Sequence, residues 1–139
     1  MAKDIFHQAV RNALIKDGWT ITHDPFQLED KSIKMAYNAD LGAEKMLAAE
    51  KGLDKIVVEI KSFLKLSLAN EFHTILGQYV TYLDALEFLA LDRELLIAVP
   101  KFAEERIQEY PFIQHLIQKH NLKMFIFDEI EEIILTWKR

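Results

Sequence analysis

Ile56-Val57-Val58-Glu59-Ile60-Lys61 reads as an aliphatic β-strand that carries a carboxylate and an ammonium two residues apart. Side chains on a strand alternate between faces, so Glu59 and Lys61 project with Val57, while Ile56, Val58 and Ile60 line the other side. An uncompensated buried charge costs roughly several kcal/mol even after relaxation, so the pair constrains whatever fold encloses it. Two readings stand side by side. One is a surface strand with an intra-strand ion pair. The other is the Glu-x-Lys half of a metal-dependent nuclease site.

The 139 residues fit a single domain that is long enough for a real core. Half of them are hydrophobic, which excludes a disordered chain. With 4 glycines and 3 prolines, the composition favours a compact mixture of helices and strands over a loop-rich sandwich. Cysteine is absent, and this excludes disulfide frameworks, thiolate zinc sites and cysteine catalysis. No apolar run approaches a membrane span, and Met1–Gly18 lacks the uninterrupted apolar core of a signal peptide. The expectation is a soluble, cytoplasmic protein with no membrane partner. The net charge of −5 runs against non-specific coating of nucleic acid, for which basic surfaces are the rule. Any role on DNA must be local, metal-assisted or dependent on a partner.

Along the chain, Lys3–Asp17 has helical spacing, with Phe6, Val10, Ala13 and Leu14 on one face and Gly18 where a C-terminal cap belongs. Trp19–His23 alternates as a strand does, and Asp24-Pro25 ends it. Residues 26–43 read as a loop with a short extended piece near Ile33–Tyr37. Alanine and glutamate in Ala43–Lys51 favour a helix by propensity, but a hairpin feeding Ile56–Lys61 is the preferred reading, because a buried strand needs a partner nearby. Leu68–Leu89 is the longest helical signal, with an apolar stripe of Phe72, Ile75, Leu76, Tyr79, Leu83 and Leu86. Glu94–Val99 is an aliphatic strand stopped by Pro100. Phe102–His120 is helical and interrupted or restarted at Pro111, and Leu122–Phe127 and Ile133–Trp137 close the chain as strands. The fold class is α/β, a mixed sheet flanked by helices.

Metal-assisted phosphodiester cleavage needs a hard cation held by carboxylate and carbonyl oxygens. The cation activates water and neutralises charge that builds on the phosphate. Glu59 and Lys61 supply half of such a set. Asp40 stands upstream as the second carboxylate, with Glu44 and Glu50 as weaker alternatives. Gln78 and Tyr82 lie four residues apart on one face of the long helix and off its apolar stripe. His7 sits one position from the stripe of the first helix, so it either reaches the site or remains a surface histidine.

His7, Asp40, Glu59-Ile60-Lys61 and Gln78-Tyr79-Val80-Thr81-Tyr82 together resemble the PD-(D/E)xK nuclease superfamily, in its RecB-like variety with a Gln-x-x-x-Tyr helix. More narrowly, three segments resemble the XisH family: Asp40-Leu41-Gly42-Ala43-Glu44-Lys45, Val58-Glu59-Ile60-Lys61-Ser62-Phe63, and Phe72-His73-Thr74-Ile75-Leu76-Gly77-Gln78-Tyr79. These are cyanobacterial proteins named as controlling factors for excision of the fdxN element, a DNA segment removed by a site-specific recombinase during heterocyst development. The likeness extends from Phe6 to Trp137, and it departs from the superfamily pattern at Ala39, where a proline would precede Asp40.

The resemblance implies a restriction-endonuclease-like fold acting on DNA with Mg2+ (or Mn2+). Asp40 and Glu59 would be metal ligands, joined by the backbone carbonyl of Ile60. Lys61 would position or activate the attacking water, and Gln78 and Tyr82 would contact the substrate backbone or brace the site. A XisI-like companion, a site-specific recombinase and a homodimer are the implied partners. Two functions follow: a metal-dependent endonuclease in DNA-element excision, or a non-catalytic regulator that keeps the nuclease fold. The bland readings cover the remaining features. His73 is structural, Tyr79, Tyr82 and Phe88 are mostly core, and Asp128-Glu129 with Glu131-Glu132 form a solvated turn that would keep DNA to another side.

Overall fold

The computed structural model of the protein describes residues 2–28, 46–64 and 67–139. Its elements are α1 (Ala2–Lys16), β1 (Thr20–His23), β2 (Met46–Lys51), β3 (Asp54–Ile60), α2 (Leu68–Phe88), β4 (Glu94–Pro100), α3 (Lys101–Ile107), α4 (Pro111–Lys119), β5 (Met124–Asp128) and β6 (Ile133–Lys138). The strands form one six-stranded sheet in the order β1-β2-β3-β4-β5-β6. The β3/β4 and β4/β5 pairs are parallel and the other three are antiparallel. This is an α/β fold, a mixed sheet flanked by four helices among the described residues.

Strand β3 is interior to the sheet and covered on both faces, so the reading of a surface strand is overturned. Alternation sorts its residues as the sequence requires. Val57 joins a core cluster with Leu95, Ile97 and Val99 of β4 and with Phe72, Ile75, Tyr79 and Leu86 of α2. Ile56 and Val58 join a second cluster, beneath Phe6, Ala9, Val10, Ala13 and Leu14 of α1. Both parallel crossovers, α2 and then α3–α4, contribute to the first cluster; α1 supplies the buried helical residues of the second, with Phe102 of α3 packed against it.

Local chemistry sets the boundaries. Gly18 ends α1 at φ 93°, donating to Ile15, while Trp19 donates back to Leu14. The expected hairpin is present: Lys51 pairs with Asp54 across a two-residue turn in which Gly52 takes φ 61°. Ser67 caps α2 by accepting from the Asn70 backbone N–H at 3.2 Å. The expected restart at Pro111 is present and divides the stretch into two helices, because Pro111 has no N–H to continue the first and its fixed φ suits the opening turn of the second.

The aromatic run is core at Tyr79 and Tyr82, as expected, and Phe88 is the exception. Phe88, expected in the core, is 67% exposed because α2 ends there, past the sheet. Tyr82 is 3% exposed and packs in the core rather than off the stripe. Ile75, Tyr79, Tyr82 and Leu86 follow a four-three-four spacing, which keeps Tyr82 on the buried face. The expected extended piece at Ile33–Tyr37 lies outside the described residues. No helix among the described residues is long and apolar enough to cross a membrane.

At the start of α1 the sheet edge is closed by charge. His7 Nε2 lies 2.8 Å from Asp24 Oδ1, and Arg11 donates to the same carboxylate. Burial raises the pKa of Asp24, but the hydrogen bonds and charges of His7 and Arg11 outweigh it and hold the group below its ordinary 3.8. A depressed carboxylate stabilises the fold above its unfolded pKa, and that contribution is lost as pH falls through the folded value. Thermal melts of Asp24→Asn should therefore show a deficit against wild type at pH 7 that shrinks as pH falls below 3.8. A deficit that stays constant down to acid unfolding would remove this role.

Candidate functional site

Among the described residues only four polar or charged side chains are buried: Glu59, Lys61, Glu71 and Gln78, at 0%, 3%, 8% and 8% exposure. Three of them are joined. Lys61 Nζ lies 3.1 Å from Glu59 Oε1 and donates a hydrogen bond to Gln78 Oε1. Glu59 and Lys61 come from β3 and its exit, and Gln78 comes down from α2. Ile75 and Tyr79 anchor the helix in the core beside it, which sets the phase that lays the amide over the ammonium.

The backbone explains why Lys61 leaves the sheet here. Its N–H donates to Ala98 O at 3.2 Å, continuing the parallel ladder with β4. The next donor on that edge would be Pro100, which has none, so the ladder stops. A trans peptide sets C=O opposite the following N–H. The Ile60 carbonyl therefore turns away from β4 and toward the β2 side, where Met46, opposite Glu59, is the first strand residue.

The remaining candidates separate. Tyr82 follows Gln78 by one helical turn and lies in the core. Asp40 and Glu44 lie outside the described residues. Glu50 is at the far end of the hairpin, paired with Arg93 at 2.9 Å. His7 is held by Asp24, on the helix that covers the opposite face of the sheet from Glu59. His73 is exposed. Among the described residues no three His, Asp or Glu side chains converge as a metal cage.

The acidic turn opens where β5 ends, with Asp128 Oδ1 accepting from the Ile130 and Glu131 N–H groups at 2.9 Å. The Glu131 and Ile130 bonds lower the Asp128 pKa. The turn folds toward α1: Asn12 donates to Glu132 and Lys16 to the Glu131 carbonyl, both at 2.9 Å.

Sequence reasoning missed Glu71. It lies in the first turn of α2, seven residues before Gln78, and residues seven apart are two turns apart on one helical face. The spacing Glu71, Ile75, Gln78, Tyr82 was the available signal. A carboxylate in a first turn also suits the positive end of the helix dipole.

A family model described as XisH protein matches residues 1–135. The chain belongs to the XisH family. It is similar to the crystal structure of an fdxN element excision controlling factor protein from Anabaena variabilis, at 39% identity and TM-score 0.84, over 98% of this chain and 99% of the other. It is similar also to an XisH family protein from Nostoc punctiforme, at 38% identity and TM-score 0.85, over 98% and 100% of the two chains. No curated protein matches. The β3 exit, its buried acid–amine pair and the overlying helix thus lie within a chain matched over nearly its whole length by two XisH-type structures.

The buried pair makes a stability test possible. Removing one partner of a buried ion pair costs about 3–5 kcal/mol, whereas replacing both with apolar groups of similar volume is often neutral. Urea unfolding should show Glu59→Leu losing more stability than the Glu59→Leu/Lys61→Met double variant. Additive losses would mean that the two charges are not coupled.

Proposed function

We propose that this XisH-family protein is a metal-dependent endonuclease of the PD-(D/E)xK type, with a restriction-endonuclease-like fold, acting on DNA during excision of an element of the fdxN kind. The observation that carries this reading is the joining of Glu59, Lys61 and Gln78 by ion pair and hydrogen bond, from a strand exit and a covering helix. A buried ammonium needs partners for its protons, and a lysine held by both a carboxylate and an amide has its ammonium oriented.

The donor set suits a hard cation. Glu59 offers a carboxylate and Ile60 a peptide carbonyl turned to the β2 side, and oxygen donors of this kind match Mg2+ (or Mn2+). Asp40 is the proposed second carboxylate. Such an ion, when bound, supplies Lewis-acid polarisation of the phosphate and lowers the pKa of water. The protein's own groups do the rest. Glu59 holds negative charge in a site closed to solvent, where electrostatic effects are larger than in water. Lys61 orients the attacking water and offers positive charge to the phosphate, and Gln78 accepts a hydrogen bond from it so that the ammonium keeps its aim. Tyr82 braces the helix from the core side.

A second reading has its own support. The relative from Anabaena variabilis is named a controlling factor, and the net charge of −5 disfavours tight DNA binding. In that reading the protein is a regulator that binds a site-specific recombinase or a XisI-like companion. A homodimer, which would let two sites cut two strands, belongs to the nuclease reading.

Nicking of supercoiled plasmid under Mg2+ or Mn2+ separates them. Wild type should nick, and Glu59→Gln and Lys61→Met should each lose about 100-fold or more while remaining folded. Titration calorimetry should show a divalent-ion heat that Glu59→Gln lacks. Undiminished nicking by both variants sinks the site assignment. No nicking and no divalent-ion heat in wild type decides for the regulator.

A further inference from the structure

Two residues beyond Lys61 the chain does something unusual. Phe63 sits at φ 57°, in the left-handed region, although it is bulky and 2% exposed. A bulky non-glycine residue is strained there and persists only where its surroundings over-determine it. Two restraints are visible. The ring is buried in the core cluster that also holds Leu68, Phe72 and Ile107. The carbonyl accepts a hydrogen bond from Arg106 Nη1 at 3.1 Å.

Arg106 belongs to α3, which begins at Lys101 immediately after the last residue of β4. The other fixed point of this stretch is the Lys61 N–H, bonded to Ala98 O of β4. Both ends of the three-residue exit are therefore gripped by one continuous unit, β4 with α3. Between those grips stands the side chain whose ammonium meets Glu59 and Gln78. We infer that Arg106 is a positioning residue for Lys61: by holding the Phe63 carbonyl it keeps the strand exit in its left-handed turn and so aims the Lys61 ammonium. The catalytic consequence of this device rests on the nuclease reading, and the positional one does not.

A guanidinium on a carbonyl is also a common structural contact, and β3 supplies a control. Arg93 Nη1 donates to Ile56 O at 3.3 Å, at the opposite end of the same strand, and its other arm pairs with Glu50. If Arg106 only stabilised the fold, replacing either arginine would loosen Lys61 to a similar degree.

The test is competitive trace acetylation of the full-length chain with acetic anhydride, read lysine by lysine by mass spectrometry, without DNA or metal. In wild type Lys61 should be among the least reactive lysines. Arg106→Gln should raise its reactivity about tenfold relative to the other lysines, through local opening, and Arg93→Gln should leave it unchanged. Arg106→Lys, which keeps charge but loses the planar fork, should raise it by a smaller factor, and it decides the matter if Arg106→Gln does not fold. Lys61 reactivity within about twofold of wild type in the Arg106 variant, or an equal rise in Arg93→Gln, overturns the inference. In plasmid nicking, Arg106→Gln should lower kcat about tenfold with KM unchanged, as misaimed groups do. Wild type that nicks under no divalent ion overturns the nuclease reading alone, because the acetylation pattern still decides the role of Arg106.

Discussion

A lysine ammonium cannot be dried without something negative beside it, and the interior of this protein is arranged around that requirement. Lys61 is buried at the exit of β3, against the Glu59 carboxylate and the Gln78 amide. The strand brings acid and amine to one face by alternation, and α2 must cross with Gln78 directly above. The apolar neighbours Ile75 and Tyr79 set the rotation of that helix, so packing of the core and satisfaction of the charge are one condition. A rotation of α2 that exposed Tyr79 would also carry the amide away from the ammonium.

The same division of surfaces separates the acidic groups of the described residues. The acidic turn after β5 is drawn to α1 by Asn12 and Lys16. The Glu59–Lys61 pair belongs to the other face, under α2. The Arg139 guanidinium, bonded to Asp54 and Glu94 at the opposite end of β3 and β4 from Lys61, takes up further acidic groups there. Net charge is thus a poor guide to the field at the site, where one ammonium and its acid stand apart from bulk water.

Much of this was legible because periodicity and punctuation agreed. The two faces of Ile56–Ile60, the Gly18 cap, the turn at Gly52 and the break at Pro111 each follow from a residue whose backbone preference leaves little choice. Tyr82 is core, as its aromatic character indicates, and its spacing puts it on the buried stripe rather than beside it. Glu71 was missed because a carboxylate in a first helical turn reads as an ordinary dipole partner. His7 has the right chemistry for a site but is held by Asp24. Nothing in the sequence marks Phe63 as left-handed, since aromatic residues rarely adopt that conformation. The Arg106 contact spans 43 residues and is set by the crossover geometry, which no local pattern encodes.

The helix α1 supplies most of the helical cover on its face of the sheet, and several of its contacts reach far downstream. Asn12 reaches Glu132 across 120 residues, and Trp19 meets Trp137 at 5.7 Å between ring centroids. Contacts of such separation form late, because the intervening chain must first be ordered. A growing polypeptide exposes the apolar side of α1 before the described strands exist to receive it, and β6 is the last of them. The side of the sheet under α1 thus stays incompletely covered until β6 is made, and until then it leaves a nascent chain open to chaperones and to self-association.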